Sequence, residues 1–223
     1  MLGEKKLKKD VTILIVEDHP IFRRGLVQLI NNEDHLAVVG EEENYLDGLA
    51  AVKKLKPHFV IADISLKNSS GIDLIKDIKL YFPEMPVLAL SLHDETIYAE
   101  RVLKAGAMGY LMKQEAPETV LKAIYQILEG NVFISDSMSS RILRKFVDGK
   151  DRAEESPVDR LTDRELEVYQ LIGQGFSTRE IADKLYISIK TVENHRAHIK
   201  EKLNLKNSIE LIQQATLWVQ IDK

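Results

Sequence analysis

The sequence predicts an α/β unit, a doubly wound five-stranded parallel sheet, followed by an all-α unit of four helices. Three observations carry this. Five short apolar runs alternate with five helical patterns before residue 130. The runs are continuous rather than alternating, as expected of strands buried on both faces. Beyond residue 159 no comparable run appears, and oxygen-bearing residues stand three positions before Glu where helical patterns begin.

In chain order, residues 11–16 (Val-Thr-Ile-Leu-Ile-Val) are β-rich, and a helical pattern over 21–30 places Phe22, Leu26, Leu29 and Ile30 on one side. Residues 36–39 form the second run and 45–56 the second helix. Runs at 58–62, 86–90 and 109–112 follow, with helical patterns near 72–80, 94–104 and 117–129. Such alternation reads as βαβ units around a parallel sheet. In the second half, Thr162 with Glu165, Ser177 with Glu180 and Asn207 with Glu210 have capping-box spacing, and Ser188 can cap the remaining helix without a reciprocal Glu. Residues 1–10 read as a basic tail with no apolar stretch of signal-peptide type. Residues 148–157 carry charge, Gly and Pro with hardly an apolar side chain. The expected organisation is therefore a tail (1–10), a first domain (11–130), a linker (131–158) and a second domain (159–223).

The composition fits this. Of 223 residues 44% are hydrophobic and 30% charged, with no cysteine and a net charge of −4. Thiolate metal sites and disulfides are excluded, a reducing, cytoplasmic setting is expected, and no apolar run approaches the ~20 residues of a membrane span. The average charge argues against a nucleic-acid partner, but it conceals a local excess described below.

In an open parallel sheet, sites form beyond the carboxyl ends of the strands. The first strand ends in Glu17-Asp18, the third reaches Asp63, the fourth ends at Ser91, and the fifth runs into Lys113. Any one polar residue after a strand is ordinary loop chemistry. Four strands each delivering a complementary group to one edge are a candidate site. Clustered carboxylates raise one another's pKa unless a cation sits among them, and Mg2+ suits hard oxygen donors. A carboxylate beside Mg2+ is a credible nucleophile toward phosphorus.

On these residues the first half resembles the receiver domain of two-component signalling, over roughly 11–130. Gly71, eight residues after Asp63, matches the glycine that opens the following helix, and residues 11–20 resemble the opening of one large subfamily. The resemblance implies a flavodoxin-like fold with Asp63 as phosphoacceptor for a sensor histidine kinase. Mg2+ would be held by Asp18, Asp63 and the backbone carbonyl of Ser65, with Glu17 helping through water, and Lys113 would pair with a phosphoryl oxygen. Ser91 and Tyr110 would be the switch pair, Tyr110 turning inward on phosphorylation. The only catalysis implied is the protein's own aspartyl phosphorylation and dephosphorylation. One departure is Lys67, where receivers usually carry proline; it motivates a competing reading of the domain as an unphosphorylated interaction module.

In the second half, residues 188–206 hold five basic residues against two acidic ones, within a region of ten basic and ten acidic residues. On a wheel for 189–203, Val192, Ile199 and Leu203 share one direction, and Lys190, Glu193, Asn194, Ala197 and Glu201 lie opposite, with Lys200 at the edge. A core-packed helix with a polar exterior looks the same. What distinguishes this one is the short helix over 177–185 and the tight connection before Ser188, which is helix-turn-helix spacing. The pattern at residues 161–165, 181–185 and 188–196 resembles the LuxR-type DNA-binding domain, so the whole chain resembles a response regulator of the NarL/FixJ type. By that resemblance Glu193, Asn194 and Ala197 read bases of double-stranded DNA. Lys190, His195 and Lys200 contact phosphates, Arg196 either bonds within the domain or reaches a phosphate, and the last helix supports a homodimer formed on phosphorylation or on DNA.

Overall fold

The computed structural model describes residues 11–66, 69–92, 95–147 and 157–221. The chain divides into two compact units, Met1–Ile142 and Leu143–Lys223.

In the first unit, strands β1 (Val11–Val16), β2 (Leu36–Glu42), β3 (Phe59–Asp63), β4 (Val87–Ser91) and β5 (Gly109–Met112) alternate with helices α1 (Pro20–Asn31), α2 (Tyr45–Leu55), α3 (Gly71–Tyr81), α4 (Glu95–Lys104) and α5 (Pro117–Leu128). All strands pair in parallel in the order β2-β1-β3-β4-β5, the doubly wound arrangement. Because side chains alternate along each strand, Ile13, Ile15, Phe59, Ile61, Leu88, Leu90 and Leu111 face one layer. They pack there with Leu26 and Ile30 of α1 and Val120, Ile124 and Ile127 of α5. Leu14, Val16, Val60, Ala62, Ala89 and Tyr110 have the opposite parity and are buried too. With both faces covered, a site has to form at an end of the sheet, and in an open parallel sheet that is the carboxyl end.

Three differences from the sequence reading have local causes. Strand β2 runs three residues further than its apolar run, through Gly40, Glu41 and Glu42. It is an edge strand, and edge positions accept charge. Residues 131–158, read as a linker, carry structure in their first part. Phe133 bridges Gly109, the Tyr110 amide donates to the Phe133 carbonyl at 2.9 Å, and helix α6 (Asp136–Val147) follows with Met138 buried. That helix escaped because three serines in its first five residues lower helix propensity. The tail and residues 148–156 lie outside the described residues.

In the second unit, after a single 3-10 turn (Pro157–Arg160), come α7 (Asp163–Gly173), α8 (Thr178–Lys184), α9 (Ile189–Lys202) and α10 (Ser208–Ile221). Thr162 and Ser177 form reciprocal capping boxes, and the Ser188 hydroxyl accepts from the Thr191 amide. The third box differs: Asn207 Oδ1 accepts from the Ile209 and Glu210 amides, but the Glu210 carboxylate takes the Lys206 amide, one residue earlier than a capping box requires. Helices α7 and α10 approach closely at Gly173, where a methyl group would overlap the Ala215 carbonyl, and Tyr169 stacks near Trp218 at 5.5 Å.

Gly71 sets the end of β3. A β-carbon there would overlap the carbonyl oxygen of Asp63, and its amide donates to the Ile64 carbonyl at 2.9 Å. Gly71→Ala should lower the stability of the first unit by about 3 kcal/mol in urea denaturation. Gly25→Ala, in open space on α1, should leave it unchanged or raise it by up to about 1 kcal/mol. Equal effects at the two positions would contradict this account of Gly71.

Candidate functional site

At the carboxyl edge of the sheet, four strand ends converge. Glu17, Asp18, Asp63 and Ser91 are all buried, Asp63 at 1% exposure. Lys113 arrives from the end of β5, and its position is fixed by the main chain, since its amide donates to the Ser91 carbonyl at 2.7 Å. Its ammonium lies 2.6 Å from Glu17 Oε2 and 2.8 Å from Asp63 Oδ2, itself only 4% exposed. Asp63 Oδ1 accepts the Ser65 amide at 3.0 Å, which folds the loop back over the strand end. Two buried carboxylates thus share one ammonium. Glu17 responds: burial first, and the charge of Asp63 second, push its carboxyl above the ordinary value, while Lys113 pulls the other way.

Ser91 and Tyr110 come from adjacent strands, and both are buried. Lys67 lies outside the described residues.

Two groups near this edge were missed in the sequence. Arg23, one turn into α1, donates to the main-chain carbonyl of Glu17 and pairs with Glu43 at 2.7 Å, tying α1 to the ends of β1 and β2. His19 joins the acidic group itself: Glu17, Asp18, His19 and Asp63 each offer a ligand atom within 4.8 Å of the others. Arg23 carries no motif, and His19 stands in the 11–20 signature without a role of its own, because both act through chain folding at the end of β1. The donor set fits a hard divalent cation, with carboxylate oxygens from two strands gathered at a buried edge and one lysine insufficient to neutralise them. Asp18 and Asp63 are the residues placed to hold it, with Glu17 beside them.

In the second unit, Val192 and Ile199 are buried and Leu203 is nearly so, as the wheel requires. Lys190, Glu193, Asn194 and Ala197 are exposed together on the opposite arc of α9. Lys200 is half-buried. His195 and Arg196 are also half-buried and lean toward the domain: burial lowers the pKa of each, and the Arg164 charge lowers that of His195 further. Lys202 is drawn inward to Glu165 at 2.6 Å. The turn before α9 is held from behind by Arg164, which donates to the Leu185 carbonyl at 2.7 Å, and Tyr186 takes a left-handed backbone (φ 53°) to make it. On α10, Leu211 and Ala215 pack inward, while Ile209, Ile212 and Leu217 stay exposed.

Both halves match known families. The response regulator receiver domain matches residues 13–125, and the DNA-binding domain described as bacterial regulatory proteins, luxR family, matches 159–215. The oxygen regulatory protein NreC of Staphylococcus carnosus is 34% identical over 207 residues, covering 91% of this chain and 95% of that protein. This chain is a response regulator of the NarL/FixJ type. The transcriptional regulatory protein DegU of Brevibacillus brevis is 29% identical across 99% of this chain and all of that protein. Among solved structures, RcsB of Salmonella enterica serovar Typhimurium, bound to promoter rprA in the presence of phosphomimetic BeF3-, has a TM-score of 0.59 at 31% identity. It covers 93% of this chain and 98% of that one. The response regulator is thus a transcription regulator with a receiver and a LuxR-type DNA-binding domain, not a conventional enzyme. Among its described residues no helix is long and apolar enough to cross a membrane.

The raised Glu17 value has a thermodynamic consequence. A carboxyl whose folded value lies above its unfolded 4.5 contributes stability below that pH, and loses it as pH rises through the folded value. In buffer free of divalent cations, Glu17→Gln should therefore melt at a higher temperature than the natural chain at pH 7. The gap should close toward pH 4.5. A variant that melts lower at pH 7 would show that the Lys113 ion pair outweighs the burial of the charge.

Proposed function

We propose that this regulator is switched by phosphorylation of Asp63 in the cytoplasm and then binds specific double-stranded DNA as a homodimer. The observation that carries the reading is the buried Asp63 held between the Lys113 ammonium and the Ser65 amide, at the edge where Glu17 and Asp18 also end. An Asp63 oxygen attacks the phosphorus of a phosphohistidine on a partner sensor kinase. The new O–P bond forms as the N–P bond breaks, and the histidine nitrogen leaves with the bonding pair and takes up a proton. Asp18, Asp63 and the Ser65 carbonyl would hold Mg2+, which would supply charge neutralisation for the phosphoryl oxygens. Lys113, now paired with two carboxylates, turns part of its charge to the incoming group, and Glu17 orients water at the cation site. The Ser91 hydroxyl donates to the phosphoryl group, and Tyr110 turns inward into the space that Ser91 leaves. The alternative positions of this pair bias the surface formed by α4, β5 and α5.

On α9 the exposed Asn194 can pair with adenine N6 and N7, and Glu193 can accept from cytosine N4, while Ala197 offers a methyl-sized contact to thymine. Lys190 and Lys200 serve phosphates, which position the helix without specifying sequence. His195 and Arg196 are half-buried, which supports a supporting role within the domain over a direct phosphate contact.

Incubated with Mg2+ and a small phosphodonor, the natural chain should gain one phosphoryl mass in an intact-mass spectrum, and Asp63→Asn should gain none. An adduct on Asp63→Asn would remove Asp63 from the role. On a panel of DNA sequences, Asn194→Ala should flatten preference by about 1–3 kcal/mol at one base position, whereas Lys200→Ala should weaken all sequences alike and reduce the salt slope by about 1. A sequence-selective loss at Lys200 would reverse the two assignments.

A further inference from the structure

The residue that precedes α1 turns its side chain away from the helix it would cap. His19 is the N-cap position of α1, yet its ring makes no cap to the helix, whose first turn begins with Pro20. The ring turns into the acidic edge instead. Nδ1 stands 2.8 Å from Asp18 Oδ1 and 3.0 Å from Glu17 Oε1, and the His19 amide also donates to Glu17 Oε1 at 3.0 Å, fixing the backbone that aims the ring. The ring remains more than half exposed, so an ion arriving from solvent meets it first.

We propose that His19 is a nitrogen donor to the divalent-cation site and tilts that site from Mg2+ toward first-row transition ions. The inference rests on the reading of Asp18 and Asp63 as cation ligands. Its geometry is that of adjacent ligands. Two donors at right angles on an ion with bonds of about 2.1 Å lie about 3.0 Å apart, close to the 2.8 Å between the imidazole nitrogen and Asp18 Oδ1, and a ligand oxygen of Asp63 lies within 4.8 Å of both. The hydrogen bond that Nδ1 now makes with Glu17 Oε1 at 3.0 Å is exchanged for the bond to the ion. A neutral imidazole adds a ligand without adding charge, so it does not deepen the repulsion among the carboxylates. Mg2+ gains little from nitrogen and is reluctant to give up water, whereas imidazole suits the transition ions. A response regulator with this edge therefore responds to which divalent ion is at hand.

The test uses the full chain and Mn2+, whose unpaired electrons report bound nitrogen by pulsed electron paramagnetic resonance. The natural chain should show 14N coupling to Mn2+, and His19→Ala should lose it. The ratio of Mn2+ to Mg2+ affinity in calorimetry should fall about tenfold in that variant. His19→Ser, which supplies a preferred cap oxygen to α1, should behave as His19→Ala does and guards against a folding artefact. Bound Mn2+ without 14N coupling, or coupling that persists in His19→Ala, would overturn the role of His19 and leave the cation site standing. Mn2+ binding that survives Asp18→Asn, or no binding by the natural chain, would instead overturn the site itself and the inference with it.

Discussion

The receiver is organised around a shortage of positive charge. Glu17 and Asp63 are both buried, and a single ammonium, Lys113, sits within 2.8 Å of each. A buried ion pair returns its desolvation cost only with good geometry and further hydrogen bonds, and here one of the two carboxylates is always under-compensated. Every other feature of the edge follows from that. Lys113 must be placed without slack, so its own amide is locked to Ser91 across β4 and β5. Asp63 must not swing out to water, so the Ser65 amide holds its other oxygen. Glu17 is left with a raised proton affinity that only added positive charge relieves. A site in this condition favours any arrangement that brings in a cation.

Such tension needs a rigid frame, and the sheet supplies one. Five parallel strands with apolar residues on both faces give the carboxyl edge fixed spacing. Gly71 lets α3 start directly against the end of β3, so the backbone bearing Asp63 cannot relax away from the pocket. On the far side, the segment after α5 adds itself to the edge of β5 through Phe133, and the Ser135 amide donates to Glu95 of α4 at 2.8 Å. The chain leaving the receiver is therefore hydrogen-bonded to the strand that carries Tyr110 and Lys113 and to the helix beside it.

What the sequence could tell follows from the range of the forces involved. The strands were legible because double burial writes them as unbroken apolar runs, and the helix starts because caps act over three residues. The acidic edge was legible because topology sends the ends of β1, β3, β4 and β5 to one place, so residues far apart in the chain could be grouped before any coordinate was known. Other features depend on contacts with no local signature. His19 follows the acidic pair, but nothing in its position says that its ring abandons the helix it precedes. Arg23 carries no sequence signal, and only folding brings it to the Glu17 carbonyl. Glu210 has capping-box spacing, yet it bonds to Lys206 instead, since spacing fixes which groups can meet but not which amide is nearest. Helix α6 has weak propensity and takes its order from Glu95 and Thr96 of α4.

The second unit turns on a similar accounting of charge, with the opposite sign. Five basic residues between 188 and 206 make the segment look like a strong electrostatic footprint. Folding spends some of it. Lys202 neutralises the buried Glu165, Arg196 is half-covered, and Lys190 lies 3.8 Å from Glu193. The face left for phosphates on one copy is small, and affinity for a duplex grows with the number of phosphates neutralised. On the proposed reading, two copies would double the cations that α9 presents and would meet two half-sites. The exposed Ile209, Ile212 and Leu217 of α10 stand on the side of that helix not used by α7, an apolar surface that would serve the proposed pairing. On the proposed dimeric reading, the charge removed from α9 to stabilise the fold makes binding depend on assembly, so whatever changes the fraction of dimer would control it.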